Sequence, residues 1–368
     1  MPATLTELQR IPTSGARGVT AFTVDDMELL AIPQLAFDVS GSEAGMNAGD
    51  SDTDLIILRR HEGVYEPHAA LSAPGGEDAE FFTIGDRCFL AVASIRSGAG
   101  PYRYTLPSTI FEWVDGSFVE FQSVMAHAAK QWKHWQIGDR HFLGLAQGLD
   151  LPHIEGPNRN SMVYEWDGAS FSEFQVIRST WAYNWHSFEV DGQHFVAHAD
   201  HVGPSVLYRW DGQRLIAHQE LLERAGRAFE SFVRGGIHYL LVAGLAAPPC
   251  LMQWRDGQFV PIQSLPGLGA RELRVVEHHG RLFVIRINFI LGTPRDPMPS
   301  LMSQVYEWRE DRLDPLVEFP TSGGTDVNVV SNGGDLEFVV SNSLSADIRF
   351  LTDTVVYALS TEDGSATP

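Results

Sequence analysis

The stretch Phe111-Glu112-Trp113-Val114-Asp115-Gly116-Ser117-Phe118 is the clearest indication of the fold, because similar stretches recur along the 368 residues of the protein. Each copy has an aromatic residue or Met two positions before a Trp, followed by a short turn sequence. The other copies lie at 164–168, 208–212, 252–257 and, in a degraded form, 306–311. Asp-Gly between alternating apolar segments is a strong β-hairpin signal, since Gly accepts the positive φ of a tight turn. The recurrence predicts a protein built from repeated hairpins.

A second hairpin precedes each copy, as in Phe188-Glu189-Val190-Asp191-Gly192-Gln193-His194-Phe195-Val196. Its first apolar residue has equivalents in seven units, at Phe22, Phe82, Trp135, Phe188, Phe232, Val276 and Val330. These anchors are 60, 53, 53, 44, 44 and 54 residues apart, near the length of about 40 to 50 residues expected for a propeller blade. Each unit reads as four strands, called A to D. The protein is therefore predicted to be all-β, a seven-bladed β-propeller of four-stranded antiparallel blades.

The last unit ends with its third strand at 354–359 and has no strand D before the polar residues 361–368. The N-terminal segment 5–11 has the pattern of strand D in other units, such as 121–124. If this segment completes the last blade, it removes two open sheet edges that would otherwise promote aggregation. We expect one closed propeller over residues 1–360 and a polar C-terminal tail over 361–368.

The strand D pairs Phe121-Gln122 and Phe174-Gln175 occur together with an apolar-Gly hairpin and the aromatic-x-Trp phrase of strand C. This combination resembles the EPTP, or EAR (epilepsy-associated), repeat, which forms seven-bladed propellers. Blades two to five match best, whereas the equivalent positions at 59–63 and at Tyr357 lack the Trp. Since the best-known members are extracellular protein-binding modules, the resemblance implies a protein-binding scaffold.

Charge and cysteine content exclude several classes of function. The sequence has 26 Lys and Arg against 47 Asp and Glu, a net charge of −21, which repels nucleic acid and anionic membranes. Cys88 and Cys250 lie in apolar runs and predict neither a disulfide framework nor a zinc site. We expect no nucleic-acid or membrane partner, no cofactor and no metal. Residues 1–10 lack a signal-peptide pattern, so we expect this acidic protein in the cytoplasm.

One column of the aligned A strands is polar and stands two residues before each anchor. It consists of Thr20, Glu80, Lys133, His186, Glu230, Arg274 and Asn328. Strand alternation gives these residues the same orientation in every blade, so we expect a polar ring at the mouth of the central channel. Neighbours such as Glu80 and Lys133, or His186 and Glu230, could equally pair across blades and only keep the channel hydrated.

Aromatic residues and long loops fall in the same region. The aromatic residues near His186 and Glu230 are Trp132, Trp181, Tyr183, Trp185 and Phe229. Long B-to-C loops at 36–53, 95–108, 148–161 and 288–303 are typical of lids or binding loops. They carry Tyr102, Arg103, Tyr104, His153 and Arg159. The first loop is rich in Gly, Ser and Asn, which favours a poorly ordered insertion instead.

The sequence leads to two hypotheses of function. The first is a small-molecule binder, a cofactor-independent cyclase, isomerase or lyase that acts on an apolar or aromatic substrate at the channel mouth. Its catalytic residues would be His186, Glu230, Lys133, Glu80 and Arg274. Its substrate-binding residues would be Trp132, Trp181, Tyr183, Trp185, Phe229, Asn328, Tyr102, Arg103 and Tyr104. In this hypothesis His186 titrates near neutral pH and burial raises the pKa of Glu230.

The alternative is a non-catalytic protein–protein interaction scaffold of the EPTP/EAR type. Such a scaffold should expose an apolar patch on its top face or rim and have a protein partner.

Overall fold

Seven four-stranded antiparallel sheets form the blades of a β-propeller in the computed structural model, which describes residues 3–151, 160–331 and 333–361. Strand A of each blade is innermost, and the seven A strands contact one another in a closed ring around a central channel. The prediction of an all-β, seven-bladed propeller is confirmed. Among the described residues, no helix has the length and apolar character needed to cross a membrane.

The strands of the first six blades follow the sequence in the order A to D. Blade 1 comprises β2 (Thr20–Val24), β3 (Met27–Ile32), β4 (Asp54–His61) and β5 (Val64–Ser72). Blade 2 comprises β6 (Gly76–Ile84), β7 (Arg87–Ser94), β8 (Thr105–Val114) and β9 (Ser117–His127). Blade 3 comprises β10 (Gln131–Ile137), β11 (Arg140–Ala146), β12 (Ser161–Trp166) and β13 (Phe171–Ile177). Blade 4 comprises β14 (Ala182–Val190), β15 (Gln193–Asp200), β16 (Ser205–Trp210) and β17 (Leu215–Leu222).

Blade 5 comprises β18 (Gly226–Arg234), β19 (Ile237–Gly244), β20 (Cys250–Arg255) and β21 (Gln258–Ser264). Blade 6 comprises β22 (Ala270–His278), β23 (Arg281–Asn288), β26 (Ser300–Arg309) and β27 (Arg312–Ser322), with the small hairpin β24 (Leu291–Thr293) and β25 (Asp296–Met298) in its B-to-C loop. Blade 7 comprises β28 (Gly324–Ser331), β29 (Leu336–Asn342), β30 (Leu351–Thr361) and, as strand D, β1 (Ala3–Ser14).

The N-terminal strand closes the ring, as predicted. β1 pairs antiparallel with β30 from Ala3 opposite Thr361 to Ser14 opposite Leu351. Both β30 and β1 thereby gain the partner that each would lack as a sheet edge. The tail predicted for 361–368 stays a prediction, because residues after Thr361 lie outside the described residues.

The Asp-Gly turns at Asp115, Asp191 and Asp256 have the backbone that a two-residue hairpin turn requires, whereas at Gly168 and Gly212 only the Gly has a positive φ. Asp115 and Gly116 have φ values of 49° and 82°, the left-handed conformation at both central positions of a two-residue turn. Gly adopts this conformation at little cost and Asp tolerates it better than most residues, which explains the recurring pair.

The repeated aromatic residues pack one blade against the next. Trp166 of blade 3 lies 5.7 Å from Phe89 of blade 2, between ring centroids. The Arg87 guanidinium covers both rings, at 4.9 and 5.1 Å, and its Nε donates to Glu112 Oε1 at 2.6 Å. Cation–π contact and ion pairing thus hold Trp166 in the groove between two blades.

The Gln of strand D also connects neighbouring blades. Gln122 donates from Nε2 to the Phe171 carbonyl oxygen at 2.8 Å, and its Oε1 accepts from the Phe171 N–H at 3.0 Å. The same pair of hydrogen bonds links each further strand D to the next one: Gln175 to Leu215, Gln219 to Phe259 and Gln263 to Leu313. The Phe-Gln motif is therefore a blade-to-blade connector.

Candidate functional site

Two cavities occupy the central channel. The upper one, which we call the cup, has a volume of about 490 Å³ and is lined by the B-to-C and D-to-A loops. The lower one has a volume of about 260 Å³ and is lined by the A strands. Between them lies one residue per blade, five positions before each anchor. We call this set the inner ring: Arg17, Glu77, Lys130, Tyr183, Arg227, Arg271 and Thr325.

The polar column predicted from the sequence lines the lower cavity. All seven of its members face this space: Thr20, Glu80, Lys133, His186, Glu230, Arg274 and Asn328. The alignment thus correctly predicted that these seven residues line one space. The prediction that this space is the mouth of the channel is wrong. They lie below the inner ring, and the cup lies above it.

The charged members of the column are paired across blades. Lys133 Nζ lies 3.0 Å from Glu80 Oε1, and Arg274 Nη1 lies 3.2 Å from Glu230 Oε1. His186 does not pair with Glu230, because its Nε2 lies 2.8 Å from Ser231 Oγ of the next blade.

The uncharged members reach backbone atoms of the next blade. Thr20 Oγ1 donates to the Ala79 carbonyl oxygen, and Asn328 Nδ2 donates to the Val19 carbonyl oxygen at 3.3 Å. Every side chain of the column therefore contributes to holding adjacent A strands together.

Titration of the column does not suit acid–base chemistry at neutral pH. Burial, together with the nearby charges of Lys133 and Arg274, lowers the pKa of His186 to about 3. His186 is therefore neutral at pH 7, and the prediction that it titrates there is wrong. Burial raises the pKa of Glu230, against the opposing effect of Arg274 and Lys133.

The predicted aromatic cluster is divided between the core and the cavities. Trp132 is fully buried among blades 2 and 3, and its Nε1 donates to the Val92 carbonyl oxygen at 3.3 Å. Trp185 and Phe229 are buried where they border the lower cavity. Trp181 and Tyr183 line the cup. These five residues therefore do not form one substrate pocket.

The loop residues are similarly divided. Tyr104 lines the cup, but the Tyr102 hydroxyl donates to the Gly49 carbonyl oxygen at 2.8 Å and Arg103 Nε donates to Ser97 Oγ at 3.4 Å. Tyr102 and Arg103 therefore help to shape the loops. His153 and Arg159 lie outside the described residues.

The first long loop is tied to the second. Arg96 donates to the carbonyl oxygens of Asn47 and Ala48, at 2.9 and 2.6 Å. Met46 and Asn47 of this loop line the cup. The structure therefore corrects the expectation that residues 36–53 form a poorly ordered insertion.

The walls of the cup are largely apolar. They include residues from the loops of blades 1, 2, 3, 5 and 6, together with Trp181: Leu35, Met46, Ile95, Leu149, Leu245 and Phe289. The floor of the cup is the inner ring, so the cup has apolar walls and a charged floor.

The inner ring has four basic side chains and one acidic one. The acidic residue, Glu77, accepts from Arg17 at 2.9 Å and lies 3.4 Å from Arg271. Burial alone would raise the pKa of Glu77, but the charges of Arg17, Lys130 and Arg271 outweigh it and lower the pKa to about 2. Glu77 is therefore an anion surrounded by cations.

Lys130 and Arg227 are the other two basic residues of the ring, and both are buried. The Arg227 guanidinium lies over the Tyr183 ring, 3.7 Å from its centroid. Burial lowers the pKa of Lys130 to about 7, although Glu77 acts in the opposite direction. Positive charge at the base of the cup therefore comes chiefly from Arg17, Arg227 and Arg271, and Lys130 adds to it below pH 7.

β-bulges explain why alternation along the A strands did not predict the inner ring. In β6 the pairing shifts between Gly76 and Asp78, so Glu77 is the extra residue. Arg227 and Arg271 occupy the same position in shifts of β18 and β22. A bulge redirects a side chain relative to the pleat. The signal available in the sequence was a second column, three residues before the polar one.

Comparison with known proteins finds a family model that matches the middle of the sequence. The sequence model of the EPTP domain matches residues 117–167 and 170–211. Each matched segment begins with strand D of one blade and ends after strand C of the next, as the strand bounds show. The EPTP unit is therefore offset from the blade by one strand, which is also the arrangement by which β1 completes blade 7.

Two relatives share part of the sequence. It is 29% identical over 175 residues to the thrombospondin-type laminin G domain and EAR repeat-containing protein of Mus musculus, and 28% identical over 172 residues to the protein of the same name in Homo sapiens. Each match includes 46% of the protein described here and 24% of the relative, so it spans about a quarter of the relatives' length. The fold and channel define a seven-bladed β-propeller. Part of the protein, residues 117–211, is similar to the EPTP domain, and the sequence is similar to EAR repeat-containing proteins.

The comparisons overturn the first hypothesis of function. The matched domain is named EPTP, the relatives are named for EAR repeats and a laminin G domain, and neither name denotes an enzyme. The prediction of a cyclase, isomerase or lyase is therefore wrong, as are the catalytic roles given to His186, Glu230, Lys133, Glu80 and Arg274. No finding supports an apolar or aromatic small-molecule substrate.

Proposed function

We propose that this propeller is a non-catalytic protein-interaction module that binds its partner with the cup-bearing face. The observation that carries the proposal is the cup itself, an apolar cavity of about 490 Å³ to which loops of most blades contribute. Loops positioned by a rigid scaffold are a common place for binding sites. A cavity of this size can accept one or two large side chains of a partner.

Exposed apolar residues extend the cup toward its rim. Leu268, which lines the cup, is 45% exposed. Met298, 54% exposed, lies in β25 of the hairpin whose Leu291 also lines the cup. Contiguous exposed apolar surface is typical of protein interaction sites, and the centre of such a site is where binding energy concentrates.

The lower channel supports the same proposal. Its polar side chains are engaged in contacts between blades, as Lys133 is with Glu80 and Arg274 with Glu230. The column is therefore explained by stabilisation of the ring, without a bound substrate. The cytoplasmic location expected from the sequence stays a prediction, which fractionation of the source cells would check.

The test uses a displayed library of random twelve-residue peptides selected on the immobilised protein. We expect enriched peptides that bind the wild type and bind Ala246→Trp at least tenfold more weakly. Ala246 is an exposed residue of the cup lining, so the larger side chain fills the cavity without disturbing the core.

The matched control is Val114→Trp, which adds an exposed Trp at the C-to-D turn of blade 2, at the opposite end of strand C from the cup loops. This variant should bind the peptides as the wild type does. Absence of enrichment, or equal binding to Ala246→Trp, would contradict the proposal.

A further inference from the structure

We propose that the inner ring recognises a carboxylate, presented by an apolar segment of the protein partner that enters the cup. The carboxylate belongs to an Asp or Glu side chain or to the C-terminus of the partner. This inference rests on the proposed function, because the partner supplies the segment, and it adds the chemistry by which the partner is selected.

The charge balance of the ring is the first argument. Arg17 and Arg271 both contact Glu77, at 2.9 and 3.4 Å. Lys130 and Arg227 form no ion pair with any carboxylate among the residues that the structure describes. Four basic groups thus surround one acidic group, and two of them have no acidic partner of their own within contact distance.

Unsatisfied polar atoms are the second argument. Arg227 Nε and Arg17 Nε are buried and have no hydrogen-bond partner in the described part of the protein. Arg227 is 4% exposed and donates from Nη1 to the Gly226 carbonyl oxygen at 2.9 Å. Lys130, also 4% exposed, has a carbonyl contact to Ala128 at 3.4 Å. Burying charged groups with so few partners is unfavourable, and a bound anion would relieve it.

The contrast with the lower cavity shows that this is not the general pattern of the channel. There, Lys133 pairs with Glu80 and Arg274 pairs with Glu230. Arg227 of the ring instead lies on the face of Tyr183 at 3.7 Å, and Arg17, besides its ion pair with Glu77, lies over Phe289 at 5.5 Å. The aromatic face of Tyr183 holds Arg227 in place without neutralising it, which leaves the charge of Arg227 available to an incoming group.

The cup selects a protein segment rather than a polyanion. The net charge of −21 repels nucleic acids and other extended phosphate polymers at long range. The apolar walls admit a segment whose charge is confined to its tip and whose flanks are apolar. Water excluded by those flanks strengthens the attraction between the carboxylate and the ring, and a planar carboxylate suits the fork of a guanidinium.

The experiment starts from peptides selected on the wild-type protein. The best binder is synthesised in three forms: as selected, with every Asp and Glu replaced by Asn and Gln, and with its C-terminus amidated. We expect the selected peptides to carry a carboxylate next to apolar residues. Removing that carboxylate should weaken binding at least tenfold, the size expected for a lost charge-assisted bond.

Protein variants assign the effect to the ring. Lys130→Met and Arg227→Gln should each weaken the acidic peptide about tenfold and leave the neutralised peptide within twofold. Arg214→Gln removes the same charge from an exposed turn outside the cup and should change neither affinity. Arg227→Lys keeps the charge and should retain a preference for the acidic peptide, which guards against a variant that fails through misfolding.

Three results would overturn the inference. Selected peptides without carboxylates, or ring variants that bind both peptide forms as the wild type does, would refute carboxylate recognition. Octanoate that binds as tightly as the best peptide would show a general site for small anions. If Ala246→Trp still reduces peptide binding in these cases, the proposed function stands without this inference; if it does not, the proposed function fails as well.

Discussion

Gln9 of β1 donates from Nε2 to the Tyr65 carbonyl oxygen of β5 at 2.8 Å, and its Oε1 accepts from the Tyr65 N–H at the same distance. β1 is strand D of blade 7 and β5 is strand D of blade 1. The junction at which the ring closes is thus held by the same connector as the junctions from blade 2 to blade 6. Closure of the ring is therefore part of the repeat pattern.

Gln9→Ala should destabilise the protein by about 1–3 kcal/mol, because two backbone groups of a partly buried strand lose their partner. The measurement is urea unfolding followed by Trp fluorescence. Leu8→Ala removes a neighbouring exposed side chain and should shift the midpoint far less. Equal midpoints for both variants would show that the connector does not stabilise the closing junction.

Deletion of residues 3–14 should convert the closed ring into an aggregating species, because it leaves β30 as an unpaired edge. Size-exclusion chromatography with light scattering measures the result. A peptide with the sequence of residues 3–14 added in excess should suppress the aggregation. A deletion variant that stays unaggregated and as stable as the full-length protein would disprove the role of β1.

His186→Ala should lower stability and leave binding of the selected peptides unchanged. The substitution removes the contact with Ser231 at 2.8 Å between blades 4 and 5, but it lies in the lower cavity. Thermal unfolding and peptide titration are measured on the same sample. Lost peptide binding in a folded variant would mean that the lower cavity takes part in recognition.

The pH dependence of stability follows from Lys130, whose pKa is lowered to about 7 by burial. The charged groups facing it are Glu77, Arg17, Arg271 and Arg227. Between pH 7 and the ordinary lysine pKa of about 10.5 the unfolded protein binds this proton and the folded protein does not, so this group makes stability rise with pH.

Lys130→Met removes that dependence and should be more stable than the wild type by about 2–5 kcal/mol below pH 7, with the difference vanishing near pH ~10.5. Urea unfolding at about pH 6, 8 and 10 tests this. A difference between variant and wild type that is constant with pH would mean that the pKa of Lys130 is not lowered.

The sequence was sufficient for the fold because the turn at Asp115-Gly116 and the Trp of strand C recur in most blades. Each of these two sequence patterns depends on neighbouring residues only, and its recurrence in several blades strengthens the prediction. The polar column was also predictable, since regular alternation along β10 and β18 fixes the direction of Lys133 and Glu230. Its depth was not, because the distance of a ring from the channel mouth depends on how the loops fold above it.

The inner ring could not be predicted from alternation because its members stand at irregular positions. Arg271 is the extra residue where the pairing of β22 with β23 shifts between Ala270 and Glu272. A period-two pattern assigns such a residue to the wrong side. The acid–base role of His186 failed for another reason, since burial, which governs its pKa, is not visible in the sequence.

The bulges that place Glu77, Arg227 and Arg271 in the inner ring also separate two kinds of constraint on the sequence. A residue in regular register must suit both its pleat and the packing between blades, so substitution there disturbs the ring as a whole. A residue such as Arg227, outside the register of β18, does not have to suit the pleat. Substitutions at the bulged positions can therefore change the charge at the base of the cup while the register of the blades is preserved.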